Sequence, residues 1–174
     1  MRSSLFTRAQ PRLPASRIAV AAAGGAATIA VLGLLGESLG FPVLVAAFGS
    51  SCVLVFTLPE SPLSQPVNIV GGHVTAALCG LLARFTLPDT WWSLAIAVGA
   101  ALAVMAALRV THPPAGGTPI AIMLADEGWS YLLTPILLGS ITIAACGITS
   151  RALVSAAERR RAQMSRVGSH STGA

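Results

Sequence analysis

Long apolar runs separated by short polar turns organise this chain: Ile18 to Gly36, Phe41 to Leu58, Val67 to Leu87, Trp91 to Val110 and Tyr131 to Ser150. Each run lies near the roughly 20 residues that a bilayer-spanning helix needs. The pattern therefore predicts an all-α fold, a polytopic transmembrane helical bundle. Between the fourth and fifth runs lies Pro113 to Ala125, PPAGGTPIAIMLA. It is apolar enough to enter a membrane, yet as helix it would reach only about 20 Å of a core about 30 Å thick. Counted as a short or broken crossing, it makes six membrane segments. Counted as a re-entrant piece, it leaves five.

Composition rules out the soluble alternatives. Hydrophobic residues make up 54% and charged residues 10%, and the mean hydropathy is +0.76. A domain of 174 residues cannot hide that much apolar surface within itself. The isoelectric point near 10.5 would suit a nucleic-acid partner, but the arginines gather at the two ends and form no stripe. Arg2, Arg8, Arg12 and Arg17 precede the first run, and Arg151, Arg159, Arg160, Arg161 and Arg166 follow the last. By the positive-inside tendency both ends face the cytoplasm, which requires an even number of crossings and so favours six. The basic, acid-free N-terminus resembles a signal n-region or a short transit peptide, but the run behind it is nineteen residues long, above the roughly 7 to 15 of a cleaved signal. A retained first helix is expected. Arg84 alone falls on the wrong side of this topology.

An internal repeat accounts for Arg84. At an offset of 67 residues, Gly72 to Arg84 (GHVTAALCGLLAR) overlies Gly139 to Arg151 (GSITIAACGITSR), with six of thirteen positions identical. Cys79 and Cys146 coincide, as do Arg84 and Arg151. The same offset lays Gly49-Ser50-Ser51 over Gly116-Gly117-Thr118 and Ile29-Ala30-Val31 over Ile96-Ala97-Val98. Each copy holds three segments, an odd number, so the second is expected upside down relative to the first, as in many secondary transporters. The expected organisation is a basic tail at 1–17, one membrane repeat at 18–84, a second at 85–151 and a basic cytoplasmic tail at 152–174.

Breaks in membrane helices point to cavities, because lipid cannot satisfy a free backbone amide. The stretch from Arg109 to Ile120, RVTHPPAGGTPI, cannot be regular helix throughout. Pro113, Pro114 and Pro119 lack amide donors and bias the residue before each away from helical angles. Its repeat mate around Gly49 shows the same small-residue node. Half-helices opening at both nodes would turn positive dipole ends toward one another near the midplane, a setting for a small anion. Candidate anion-binding residues are Gly49, Ser50, Ser51, Pro113, Pro114, Gly116, Gly117 and Thr118. The same glycines and serines also serve close helix packing, and back-bonding to their own helices is the alternative use of the hydroxyls.

His73 and His112 are ionisable residues within or beside membrane segments, and so are functional candidates. His112 lies at the expected inner mouth, where an imidazole titrating near neutral pH could accompany anion entry with a proton. Arg109 beside it would raise the local anion concentration. Asn68 either bonds the adjacent loop or lines the cavity. Cys52, Cys79 and Cys146 lack the spacing of a metal or disulfide framework. Two histidines without nearby acids make no metal site, so neither metal nor cofactor is expected. Trp91, Trp92, Trp129 and Tyr131 read as interfacial aromatics. No paired carboxylates or nucleophile-base pair suggests an enzyme.

THPPAGGTP, FGSSCVLVF and SPLSQPVNIVGGH, in that order and spacing, resemble the HPP family of integral membrane proteins, so called after the His-Pro-Pro at 112 to 114. The likeness runs from about Ile18 to Arg151. The one departure is HPPAGGTP where HPPAGAT is the pattern. The resemblance implies a role connected with nitrite transport, to which some members are linked, while many bacterial members have no assigned substrate. Some relatives continue into a cytoplasmic CBS module, and none is expected here. The resulting expectation is a transporter or channel for a small inorganic anion, nitrite first, in a bacterial inner membrane. Its partners would be lipid and the anion, with a homo-oligomer as an option and no nucleic acid. The alternative is a scaffold subunit whose small residues pack against partner helices.

Overall fold

A computed structural model describes residues 12–171 of the protein. The first eleven residues of the expected N-terminal tail, and residues 172–174 of the C-terminal one, lie outside the described residues. Six helices follow one another: α1 (Ala15–Leu39), α2 (Ala46–Thr57), α3 (Pro66–Thr86), α4 (Trp91–Ala107), α5 (Thr118–Leu124) and α6 (Leu138–Ser171). Single 3-10 turns span Pro62–Ser64 and Pro113–Gly117, and a widened π-type turn, Leu132–Leu137, leads into α6. The described residues form no strand. Three stretches are long and apolar enough to cross a membrane: Ala15–Leu39, Pro66–Thr86 and Leu132–Met164.

Local chemistry sets the boundaries. α1 stops at Gly40, whose left-handed φ of 72° lets its amide reach back to the Gly36 carbonyl. Pro42 and the β-branched Val43 and Val45 then hold the chain extended until α2 opens at Ala46. The second apolar run is thus no continuous helix. Its break lies at Val45, ahead of Gly49-Ser50-Ser51, and the three small residues are themselves helical. α3 starts on Pro66, where a missing amide costs nothing. α4 ends with Arg109 in the left-handed region (φ 59°). Adjacent Pro113 and Pro114 then permit only a 3-10 turn before the seven-residue α5. Thr134, pushed to extended angles by Pro135, interrupts the last run near its start. That break was not foreseen. From Leu138 onward α6 continues unbroken past 152, so no backbone break separates the last membrane segment from the expected tail.

α3 is the central post. It buries Ile69, Gly72, His73, Thr75, Ala76, Ala77, Gly80, Leu81 and Ala83 and packs against α4, α5, α6 and all three irregular turns. Small residues make this possible. A Cβ at Gly72 would stand 2.6 Å from the His112 Cβ, and one at Gly80 2.8 Å from the Pro119 Cα. α1 is peripheral. It packs on α2 and α6 and buries only Thr28 and Leu32, as suits a helix surrounded by lipid. Tyr131, expected at the interface, is instead buried with Ala77, Leu81, Ile122 and Ile136. Trp129 does lie at the surface, stacked on Phe85.

Contacts recur at the offset of the repeat. The offset carries Ala46–Thr57 onto 113–124, the 3-10 turn together with α5. Gly80 faces Ile122, and its counterpart Gly147 faces Val55. Arg84 pairs with Asp126, and its counterpart Arg151 donates to the carbonyl of Pro59, the residue equivalent to Asp126. These two arginines mark opposite ends of the molecule, called below the Asp126 end and the Pro59 end.

Candidate functional site

The two interrupted segments meet across α3. Ser51 of α2, His73 of α3, His112 at the mouth of the 3-10 turn and Thr118 at the start of α5 are all fully buried. The Ser51 Oγ lies 2.9 Å from the His73 Nε2 and 3.0 Å from the His112 Nε2. Thr118 Oγ1 is 3.4 Å from the His73 Nδ1. At the far side, the His112 Nδ1 is 2.9 Å from the Leu63 carbonyl. The two imidazoles stand edge to face with centroids 5.2 Å apart, and Phe48 abuts His73 at the same separation. Ser51 and Thr118, 67 residues apart in sequence, thus bracket one imidazole with two hydroxyls.

Proton counting fixes the direction of every bond. A carbonyl only accepts, so His112 carries its proton on Nδ1 and donates to Leu63. In neutral His112 the Nε2 is then an acceptor and takes the Ser51 hydroxyl proton. The Ser51 oxygen in turn accepts from the His73 Nε2–H, which leaves the His73 Nδ1 to accept from Thr118. Each buried polar atom of the cluster has a partner, and no buried side-chain nitrogen or oxygen among the described residues lacks one. In a low-dielectric setting an unpaired member would cost about 1–3 kcal/mol, so the four side chains specify one another.

The remaining candidates are distributed around this core. Ser50, Pro113, Pro114 and Gly117 line a groove of about 580 Å³ together with the first-turn residues Ala46 and Ala47 of α2. Gly49 is exposed, and neither it nor Gly116 has a neighbour within 4 Å of a built Cβ. Arg109 is exposed. Asn68 donates to the Thr111 carbonyl at 2.9 Å, tying α3 to the segment that carries His112. The structure therefore brings Ser51, His73, His112 and Thr118 together. It sets Ser50 and Gly117 on the wall of the neighbouring groove, and it leaves open space beside the Gly49 Cα where a side chain would project.

Several participants were invisible in the sequence. The Leu63 carbonyl receives His112, and Ser64 stabilises that turn by donating to the Leu54 and Leu58 carbonyls. Arg151 clamps the same turn through the Pro59 and Ser64 carbonyls. The recurrence of Arg84 at 151 was the available signal, but a backbone acceptor leaves no mark in composition. A second cavity of about 340 Å³ lies at this end, lined in part by Arg17, Arg151, Glu60 and Glu158. Two guanidinium groups face two carboxylates there, so it holds no net attraction for an anion.

A family model described as HPP, transmembrane region, matches residues 10–161. Two curated transmembrane proteins of Dictyostelium discoideum are similar to the chain. One is 37% identical over 108 residues, covering 58% of this chain and 35% of the relative. The other is 33% identical over 107 residues, covering 57% and 38%. The chain thus matches little more than a third of the length of these relatives. No solved structure matches it.

Proposed function

The chain belongs to the HPP transmembrane family, and from that premise we infer that this integral membrane protein is a transporter or channel for a small inorganic anion, nitrite being the first substrate to test. The observation that carries the reading is the meeting of two interrupted segments, α2 and the 3-10 turn leading into α5, around one groove and one buried polar cluster. An unbroken bundle would need neither break. Irregular backbone at membrane depth is tolerated only beside protein or water, and Pro113 and Gly117 are exposed on the groove. Water of the permeation route, or a second copy of the chain, covers them.

The groove also suits an anion electrostatically. The N-terminal turn of α2 borders it through Ala46 and Ala47, and a helix start carries roughly half a positive charge. Ser50 contributes a hydroxyl with no bond inside the described structure. Ser51 and Thr118, also candidates for the anion, are turned toward His73 and stand behind the groove wall. His112, next in chain to Pro113, links wall and cluster. The recurring contacts of Gly80 and Gly147, and of Arg84 and Arg151, support two copies of opposite orientation; the arginine-rich ends favour placing both ends of the chain on the cytoplasmic side, in a bacterial inner membrane.

Nitrite uptake into proteoliposomes, measured against protein-free vesicles, tests the reading. Gly117→Leu places a side chain in the groove, where nothing lies within 4 Å of a built Cβ, and should block uptake. Uptake unaffected by both Gly117→Leu and His112→Ala would remove this site. The alternative of a packing subunit without transport draws support from the closed, fully bonded cluster. It requires that no uptake exceed the protein-free level and that a stoichiometric partner be retained in mild detergent.

A further inference from the structure

His112 has two protonation states that leave no group of the cluster unbonded. In the neutral state the Ser51 hydroxyl donates to its Nε2, as counted above. The Ser51 Oγ also lies 3.1 Å from the Ala47 carbonyl, four residues back along α2. If His112 gains a proton on Nε2, that N–H donates to Ser51, whose hydroxyl swings to Ala47. Oγ then accepts from both imidazoles with its two lone pairs, and His73 and Thr118 are untouched. One N–H bond forms, with the proton drawn from water, and one hydroxyl turns. His73 has no such freedom. A proton on its Nδ1 would face Thr118, whose own hydroxyl proton would then lose its only partner within the described structure.

The protonated state carries a positive charge that the protein does not neutralise. From α2 the cluster is faced by Ser51 with Cys52 beside it, from α3 by His73, and from the Pro62–Ser64 turn by the Leu63 carbonyl. Thr118 faces it from α5, and the buried α4 residues packed with the neighbouring Ala76 and Ala115, Ala101 and Met105, are apolar, while the charged Arg151 on α6 reaches only the carbonyls of Pro59 and Ser64. No carboxylate is bonded to any of these among the described residues. Glu37, Glu60, Asp89, Asp126 and Glu158 are exposed, Asp126 against Arg84 at the opposite end, and the half-buried Glu127 follows Asp126 there. A buried charge without a counter-charge is strongly disfavoured. The neighbouring groove, one residue away along α2 at Ser50, is where a counter-ion can sit.

Building on the anion-transport reading, we propose that His112 is the proton-binding residue of a proton–anion symporter, in which the Ser51 hydroxyl switches between His112 and Ala47 and the transported anion neutralises the imidazolium. A monovalent anion then moves with one proton and no net charge. Binding is linked in both directions: the anion raises the protonated fraction of His112, and acidification raises anion affinity by the same factor.

Two measurements on the wild-type protein test this. In proteoliposomes given sodium nitrite, with protein-free vesicles subtracted, uptake should accelerate when the nitrite side is acidic, should produce no current and should ignore an imposed membrane potential. Uptake that carries one negative charge per nitrite and disregards the pH gradient would overturn the symport while leaving transport intact. Absence of uptake would overturn both. In lipid nanodiscs, ¹⁵N spectra of histidine-labelled protein should show neutral His112 protonated on Nδ1 and neutral His73 on Nε2, with added nitrite shifting the His112 titration upward. The opposite tautomers, or a titration indifferent to nitrite, would refute the switch. His112→Asn keeps an amide donor for Leu63 but cannot take up a proton, so any nitrite flux it supports should appear as a current. Electroneutral flux through this variant would also refute the assignment.

Discussion

Gly72→Ala adds one methyl group at the point where α3 passes closest to the segment bearing His112. That methyl would stand 2.6 Å from the His112 Cβ, 3.0 Å from the Val110 carbonyl oxygen and 3.4 Å from the His112 amide nitrogen. Carbon atoms settle at about 3.5–4.0 Å, so residues 110–112 must retreat by about 1 Å. His112 has no slack for this, being held at 2.9 Å by Leu63 and at 3.0 Å by Ser51. A retreat of that size carries at least one of these contacts beyond hydrogen-bond range. Overpacking costs about 1–3 kcal/mol and an abandoned buried partner about 1–3 kcal/mol, against a helix-propensity gain of about 1 kcal/mol. The net loss is about 3 kcal/mol with both costs taken at mid-range. Thermal unfolding in detergent, followed by tryptophan fluorescence, reads this out, with Gly49→Ala as the companion variant. No atom lies within 4 Å of a built Gly49 Cβ, so that variant should unfold at the same temperature or higher. If Gly72→Ala proved as stable as Gly49→Ala, the close approach and the tight fixing of His112 would both be wrong.

Ser51→Ala deprives two buried imidazoles of a shared partner and should destabilise by about 2–4 kcal/mol in the same assay, whereas Ser51→Thr keeps the hydroxyl and should recover most of the loss. Arg151→Ala should cost about 1.5–3 kcal/mol, because its guanidinium bonds the Ser64 carbonyl in the turn that receives His112 and the Pro59 carbonyl ahead of it. Arg84→Ala, at the equivalent repeat position but facing an Asp126 side chain that is 89% exposed, should cost under about 1 kcal/mol; equal losses at the two sites would contradict this asymmetry. Arg109→Gly relieves a left-handed φ and should leave stability unchanged or raise it by up to about 1 kcal/mol, while slowing nitrite uptake at low salt more than at high salt if the arginine attracts the anion.

The amino-acid sequence by itself determined the membrane class and the approximate extent of each apolar segment, because hydropathy and proline placement act locally and leave their mark in composition. It also marked Ser51, His73, His112 and Thr118, since polar groups in apolar runs stand out. The interruption at Val45 came out displaced from Gly49, because the small residues tolerate helix and it is Pro42 with its β-branched neighbours that resists it. The break at Thr134 was missed although Pro135 was in plain view, since one proline within an apolar run is as compatible with a kink as with a stop. Only the tertiary structure decided which hydroxyls face the histidines and which face the groove. Ser50 and Ser51 are adjacent and chemically identical, and the helical turn of about 100° per residue sends them to different surroundings once α2 has docked on α3. The direction of the proton chain likewise depends on the Leu63 carbonyl, a backbone group every residue possesses, whose importance arises solely from where folding puts it.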